Sequence, residues 1–183
     1  MEVALKKDAV LSRGSDRIIA VFVFTIFMIL RGFVRIPLPF SPVPVTLQTF
    51  FVLLSGAFLG SAGVIPQLAY ILLGVAGLPV FSGAGSGLLY FLGPTGGYLF
   101  GFIVAAFFVS RSIKYAQDSL PRIFIILCLA DLVLLLCGVI WLKFLFGYPF
   151  QKLLFIGLLP FLPGDLFKAA SAAVIYRKLK QRF

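Results

Sequence analysis

Apolar residues run along this chain in long blocks, and polar residues gather between them. A helix needs about 20 mainly apolar residues to cross a bilayer. The blocks predict six membrane-spanning helices, at residues 17–34, 44–59, 61–78, 96–110, 123–146 and 159–176. The junction LSGAFLGSAG is so short that the second and third helices are expected to form an antiparallel hairpin. The predicted fold class is therefore an all-α integral membrane protein, with residues 1–183 as one transmembrane domain.

Composition and charge support this class and add an orientation. The chain is 61% hydrophobic and 12% charged, against about 25% charged in soluble domains. Its net charge of +10 does not indicate nucleic acid, because the basic residues lie at the borders of apolar blocks and form no stripe. Basic residues favour the cytoplasmic side, and most of them face inward if the N-terminus is cytoplasmic. We therefore expect a multi-pass protein of the cell membrane with both termini in the cytoplasm.

Three irregular segments then face outside. They are RIPLPFSPVPVTLQ, with four prolines, the glycine-rich VFSGAGSGLLYFLGPTGGY, and FGYPFQKLLFIGLLPFLPGD, which prolines interrupt. Irregular backbone at membrane depth is tolerated only where it is buried in protein or lines a cavity. Their common side predicts a ligand pocket enclosed by these loops and open to the outside.

Asp165 and Lys168 stand at the head of the last apolar block. Their i, i+3 spacing puts both on one helical face, and charges at this depth usually face protein or water. One interpretation is an internal salt bridge that only tolerates both charges. The other, which the predicted cavity favours, is a polar floor for a ligand.

Other polar groups in the apolar blocks allow two interpretations each. Gln48 is equally compatible with helix–helix contact and with ligand contact. Tyr70, Tyr90 and Tyr98 suit either an interfacial belt or the pocket wall, and the glycine-rich loop between Tyr90 and Tyr98 favours the wall. Asp131 is expected near the inner face, paired with a basic residue there or reaching the interface.

The chain lacks the sequence motifs of several classes of function. The chain has no GxxxxGK[ST] segment, no HExxH or CxxC, and no histidine, so we expect no ATP site, no metal site and no enzyme. Two alternatives remain open. An intramembrane enzyme could use Asp165 and Lys168 as acid and base, and a structural subunit would bind no ligand.

The loops resemble a known family. IPLPFSPVPVTLQTFFVLLSGAFLG, GLPVFSGAGSGLLYFLGPTGGYLFGF and FLPGDLFKA together resemble the biotin-specific S components (BioY family) of energy-coupling-factor transporters. The resemblance covers residues 35–172, and the combination of PxPVPxTLQ, GLPVF, LGPTGGYLxGF and PGDxxK is specific where no single motif would be.

The resemblance implies a function, partners and site residues. It implies a membrane subunit that captures biotin outside with high affinity and delivers it inward with a membrane coupling protein and two cytoplasmic ATPases. ATP is hydrolysed by those partners, so no cofactor is expected here. An S component for another small anionic heterocyclic vitamin is the alternative. Asp165 is the implied partner of the ureido group and Lys168 of the carboxylate. The other candidate ligand contacts are Gln48, Tyr98, Gly96, Gly97, Tyr90, Gly85 and Tyr70.

Two positions depart from the family pattern. Some members carry a basic residue directly after GGY, where this chain has Leu99, so Lys168 would hold the carboxylate alone. The first helix of S components often shows AxxxA spacing for docking to the coupling protein, whereas here Ala20 is followed by Phe24.

Overall fold

A computed structural model describes residues 14–181 of the chain. Its helices are α1 (Gly14–Phe33), α2 (Gln48–Leu59), α3 (Ile65–Val75), α4 (Gly87–Phe91), α5 (Gly96–Ser112), α6 (Leu120–Phe146), α7 (Phe150–Gly157) and α8 (Leu162–Lys180). Short 3-10 helices at Gly60–Val64 and Ile113–Ala116 follow α2 and α5. Two antiparallel strands, β1 (Arg35–Ile36) and β2 (Val45–Thr46), close the proline-rich segment into a ribbon. The molecule is thus helical, with irregular backbone concentrated in the predicted loops.

The helix termini differ from the predicted ones where prolines intervene. The second helix begins at Gln48 instead of residue 44, because Val45 and Thr46 pair with β1. The last begins at Leu162 instead of 159, after a break that bends it by 51° from α7. Proline fits the first turn of a helix because its missing N–H has no partner there, and Pro163 takes that place in α8.

The hairpin predicted between the second and third spans is confirmed. Gln48 Nε2 donates a hydrogen bond to the Tyr70 hydroxyl at 2.7 Å, although a straight helix would separate the two residues by about 33 Å. The chain turns at the Gly60–Val64 segment, where Gly63 lies against the backbone of Ser55 and Gly56. A Cβ at Gly63 would come within 2.6 Å of the Ser55 carbonyl oxygen, so only glycine fits this turn.

The helices bury small residues against one another and expose large apolar ones. Gly97 and Gly101 of α5 lie against Trp141 and Leu134 of α6, and Gly138 of α6 faces the Tyr98 ring. Outward, side chains such as Phe22, Phe144 and others are largely exposed. This pattern is typical of a bundle in lipid, where close packing replaces the hydrophobic drive between helices.

By length and composition, three helical stretches among residues 14–181 can cross a membrane, namely Gln48–Val75, Gly96–Ala116 and Leu120–Phe146. The bent pair α7–α8 makes a fourth if it is one span. The first stretch is folded into the hairpin, and α1 is 20 residues long but carries charged residues near both ends. Four basic residues that supported the predicted orientation, Lys6, Lys7, Arg13 and Arg182, lie outside the described residues.

Candidate ligand-binding site

A single cavity brings together most of the candidate residues. It holds about 530 Å³ of space free of protein atoms, open mouth included. Its lining residues come from the three irregular segments and from six helices: Val43, Pro44, Thr46, Gln48, Thr49, Tyr70, Ser82, Tyr90, Thr95, Tyr98, Leu99, Phe102, Leu134, Leu135, Phe161, Asp165 and Lys168. The cavity therefore has an aromatic and aliphatic wall with few polar groups.

Asp165 and Lys168 lie in one region of the cavity with Thr46 and Thr49. We call these four residues the charged end. Asp165 occupies the first turn of α8, where the helix dipole favours an anion. Lys168 Nζ lies 2.7 Å from Asp165 Oδ1, and both side chains are buried. The internal salt bridge and the cavity floor, posed as alternatives on the sequence, are therefore the same structure.

The lysine ammonium group is fully occupied by the protein. Besides Asp165 Oδ1, Lys168 Nζ donates to the Thr46 carbonyl oxygen at 2.6 Å and to Thr49 Oγ1 at 3.1 Å. An ammonium group has three donors, so none is left for a ligand carboxylate. The carboxylate-binding role that the resemblance implies for Lys168 would require it to give up one of these contacts.

Asp165 keeps one oxygen available. Thr49 Oγ1 donates to Oδ1 at 3.3 Å, so Oδ1 has both the lysine and the threonine as partners. Oδ2 is buried and has no hydrogen-bond partner among the described residues. A buried acceptor without a partner is costly, and an N–H group of a ligand would satisfy it.

Asp131 is nearer this cluster than the sequence suggested. The expectation that it pairs with a basic residue near the inner face or reaches the interface is wrong: its side chain is buried, with 5% exposure, and interacts with Asp165 and Lys168. Its Oδ1 has no hydrogen-bond partner among the described residues. The predicted span begins at residue 123, which places Asp131 near the end of the helix. In the structure the helix begins earlier, at Leu120, and is 27 residues long, so Asp131 lies deeper in it.

Aromatic side chains form a second region of the cavity, beside the 76–86 loop, which we call the loop end. Phe81 packs edge-on against Tyr70, with ring centroids 5.5 Å apart, and stacks on Tyr90 at 5.0 Å. The Tyr90 hydroxyl donates to the Ser82 carbonyl oxygen at 3.0 Å. Ser82 Oγ is buried and has no partner within the described part of the chain. Sequence reasoning missed Ser82, although its place in VFSGAG was a usable signal.

Of the other predicted contacts, Gln48 and Tyr98 line the cavity but are also engaged in the protein. Gln48 Nε2 donates to the Met28 carbonyl oxygen at 3.0 Å as well as to Tyr70. Both amide protons are therefore used in contacts of α2 with α1 and α3. The Tyr98 hydroxyl donates to the Gly157 carbonyl oxygen at 2.6 Å. Tyr98 thereby ties the wall of the cavity to the end of α7.

The three predicted glycines lie outside the lining. Gly97 packs on Trp141, and Gly96 lies between the Phe91 carbonyl group and the Trp141 ring. Gly85 faces the Tyr90 ring from the loop. Each glycine lets a neighbour approach closely instead of facing the cavity, because a Cβ at any of them would overlap that neighbour.

The fold and the cavity together define a helical membrane protein with an internal site for a small ligand. Comparison with known proteins gives the family: the chain matches the BioY family over residues 4–183 and belongs to it. It is therefore a multi-pass transport protein and not an enzyme.

Individual relatives agree with this assignment. The chain is 37% identical to a biotin transporter BioY of Thermotoga maritima over 167 residues, which cover 87% of this chain and 92% of the relative. It is 37% identical over 150 residues to a probable biotin transporter BioY of Pyrococcus horikoshii, covering 80% and 86%. A crystal structure of the S-component for biotin from an ECF-type ABC transporter superposes with a TM-score of 0.83 at 32% identity, covering 91% of this chain and 92% of that one.

Proposed function

We propose that this chain is the S component that binds biotin for an energy-coupling-factor transporter. The observation that carries the proposal is Asp165 Oδ2, a buried acceptor without a partner among residues 14–181, in a largely apolar cavity. Biotin offers ureido N–H donors for this oxygen, an apolar thioether ring for the wall, and a carboxylate on a flexible tail. Family membership and the named relatives support the same ligand.

Polar contacts hold the two ends of the ligand, and apolar contacts hold its middle. The ureido group donates to Asp165 Oδ2, while Lys168 and Thr49 fix the carboxylate through Oδ1. Tyr98, Phe102 and Phe161 line the cavity beside this carboxylate and supply the apolar contact for the thioether ring. Lys168 acts here as a positioning residue for Asp165.

Transport requires partners and an orientation. We assign six membrane crossings to the chain, as one transmembrane domain in the cell membrane, with both termini cytoplasmic and the cavity facing outside. A membrane coupling protein and two cytoplasmic ATPases supply the energy, since the chain has no phosphate-binding loop of its own. Binding outside is thus followed by delivery inside.

Calorimetric titration of biotin into the detergent-purified protein tests the proposal. We expect stoichiometric binding that is lost or weakened at least tenfold in Asp165→Asn, because the amide presents a poorer acceptor to the ureido group. Gly164→Ala is the matched control, since a Cβ at this neighbouring position meets nothing within 4 Å. Absence of biotin binding by the parent protein, with binding of another anionic heterocyclic vitamin, would refute the ligand while keeping the transport class.

A further inference from the structure

The charged end of the cavity leaves the carboxylate of an anionic ligand without a cation. All three Lys168 donors are engaged, and Leu99 supplies no charge. If biotin binds with its ureido group at Asp165, as the proposed function states, its tail extends away from this end. The group that holds the carboxylate must then be sought elsewhere along the cavity.

Ser82 is the first part of such a group. Its side chain is buried, with 8% of the residue exposed, and it lines the cavity. Its carbonyl oxygen accepts a hydrogen bond from the Tyr90 hydroxyl, whereas its own hydroxyl has no partner among residues 14–181. Native proteins rarely leave a buried hydroxyl unpaired, so this hydroxyl is suited to donate to a ligand.

The loop that carries Ser82 is held in a fixed shape. Phe81 N–H donates to the Gly85 carbonyl oxygen at 3.0 Å, and Gly83 N–H contacts the Gly32 carbonyl oxygen at 3.4 Å. Phe81 is fully buried between Tyr70 and Tyr90. A hydroxyl on such a loop is presented to the cavity without the entropic cost of ordering a flexible segment.

Arg35 is the second part. It pairs with Thr46 across the β ribbon, and residues directly opposite in a ribbon project to the same face. Thr46 belongs to the charged end, so the Arg35 side chain begins beside that end and extends to the 76–86 loop. Its guanidinium group lies against Gly83, the residue after Ser82: a Cβ built on Gly83 would overlap it, with Nη2 at 2.9 Å.

The guanidinium group of Arg35 is exposed and has no ion pair within the described part of the chain. Gly83 has φ +73°, and its missing side chain leaves the space that the guanidinium fills. Gly83 directly follows Ser82, so the guanidinium group lies against the residue next to the one that carries the unpaired hydroxyl. Together they offer a charged donor and a neutral donor at one place.

We propose that Arg35 and Ser82 form the subsite for the ligand carboxylate at the loop end of the cavity. A carboxylate there would accept charge-assisted hydrogen bonds from the guanidinium group and a hydrogen bond from Ser82 Oγ. The two ends of the cavity then divide the ligand: Asp165 binds its N–H donors and Arg35 its negative charge. This division deepens the proposed function and depends on it.

Titrations with biotin and with biotin methyl ester, whose tail is uncharged, test the subsite. Arg35→Gln is expected to weaken biotin binding about tenfold, as loss of a charged hydrogen bond does, and Ser82→Ala about threefold to tenfold. Arg35→Gln should weaken the ester much less than biotin, because the ester carries no charge, whereas Ser82→Ala should weaken both, because the ester carbonyl oxygen still accepts a hydrogen bond. Biotin affinity of the parent should fall with added salt, and that dependence should diminish in Arg35→Gln.

Controls separate this subsite from the proposed function. Lys152→Gln removes another exposed cation, one in α7 that packs on Tyr148, and should leave both affinities unchanged. A parent protein that binds neither compound refutes the biotin assignment itself. Equal affinity of the parent for both compounds refutes the subsite alone. So does an equal loss of both compounds in Arg35→Gln, since the residue would then act through the loop and not on the carboxylate.

Discussion

The two ends of the cavity are built in different ways. At the charged end, side chains from α2 and α8 satisfy one another, and Lys168 has no donor left over. At the loop end, stacked rings hold a short loop whose Ser82 hydroxyl has no partner in the part of the chain that the structure describes. The comparison teaches that a charged residue in a site can serve mainly to hold its neighbour, while an inconspicuous serine is free to bind.

Removing the lysine should have the largest effect on stability. Lys168→Met leaves Asp165 as a buried charge without its cation, which typically costs about 3–5 kcal/mol. We expect a large fall in the thermal midpoint in detergent. The double variant Asp165→Asn, Lys168→Met should recover part of that loss, because no charge remains uncompensated between them. A double variant less stable than Lys168→Met would show that the two residues do not act as a pair.

The loop end should be sensitive to a side chain added at Gly74, beneath the Phe81 ring. A Cβ at Gly74 would overlap the buried Phe81 ring, and overpacking of this kind costs about 1–3 kcal/mol. Gly74→Ala should therefore lower the thermal midpoint and weaken biotin binding by displacing the Phe81–Tyr90 stack. Gly164→Ala, where the Cβ meets open space, should do neither. Unchanged binding in Gly74→Ala would separate the stack from the site.

Asp131 offers a change in the opposite direction at the charged end. Its buried carboxyl group faces that of Asp165 without a hydrogen-bond partner for Oδ1 among the described residues. Asp131→Asn keeps the shape, excludes a second negative charge beside Asp165 and adds a donor, so we expect about 1–2 kcal/mol of added stability. The measurement is the thermal midpoint without ligand. A lower midpoint would mean that the carboxylate itself is needed there.

The smallest effect is expected at the Tyr90 hydroxyl. Tyr90→Phe removes its hydrogen bond to the Ser82 carbonyl oxygen and keeps the ring that stacks on Phe81. A neutral hydrogen bond contributes about 0.5–1.5 kcal/mol, so the loop should loosen slightly and biotin affinity should fall less than in Ser82→Ala. A greater loss than in Ser82→Ala would transfer the binding role from the serine hydroxyl to the tyrosine.

Sequence reasoning recovered the contacts that follow from short separation along the chain. Asp165 and Lys168 share a helical face because they are one turn apart, and their ion pair follows from that spacing. The short junction after Leu59 required a reversal, which the Gln48–Tyr70 hydrogen bond confirms. Gln48, Tyr70, Tyr90 and Tyr98 line the cavity, while their contacts with a ligand stay predictions.

Individual contacts between distant parts of the chain were not all recovered. Thr49 meets Asp165 over 116 positions, and no pattern on either helix announces that contact. The predicted glycines were read as ligand contacts because their backbone allows close approach, yet the partner that approaches Gly97 is Trp141. Which neighbour uses a glycine depends on how the helices pack.

By itself the sequence determined that this chain lies in a membrane, where its loops fall, and which charges share a face, because hydropathy and helical periodicity are local properties. Tertiary structure decided which groups remain available to a ligand. Lys168 Nζ donates its hydrogen bonds to Thr46, Thr49 and Asp165, whereas Asp165 Oδ2 and Ser82 Oγ stay unpaired within the described residues. Hydrogen-bond capacity is used up by neighbours in space, and only the folded chain fixes those neighbours.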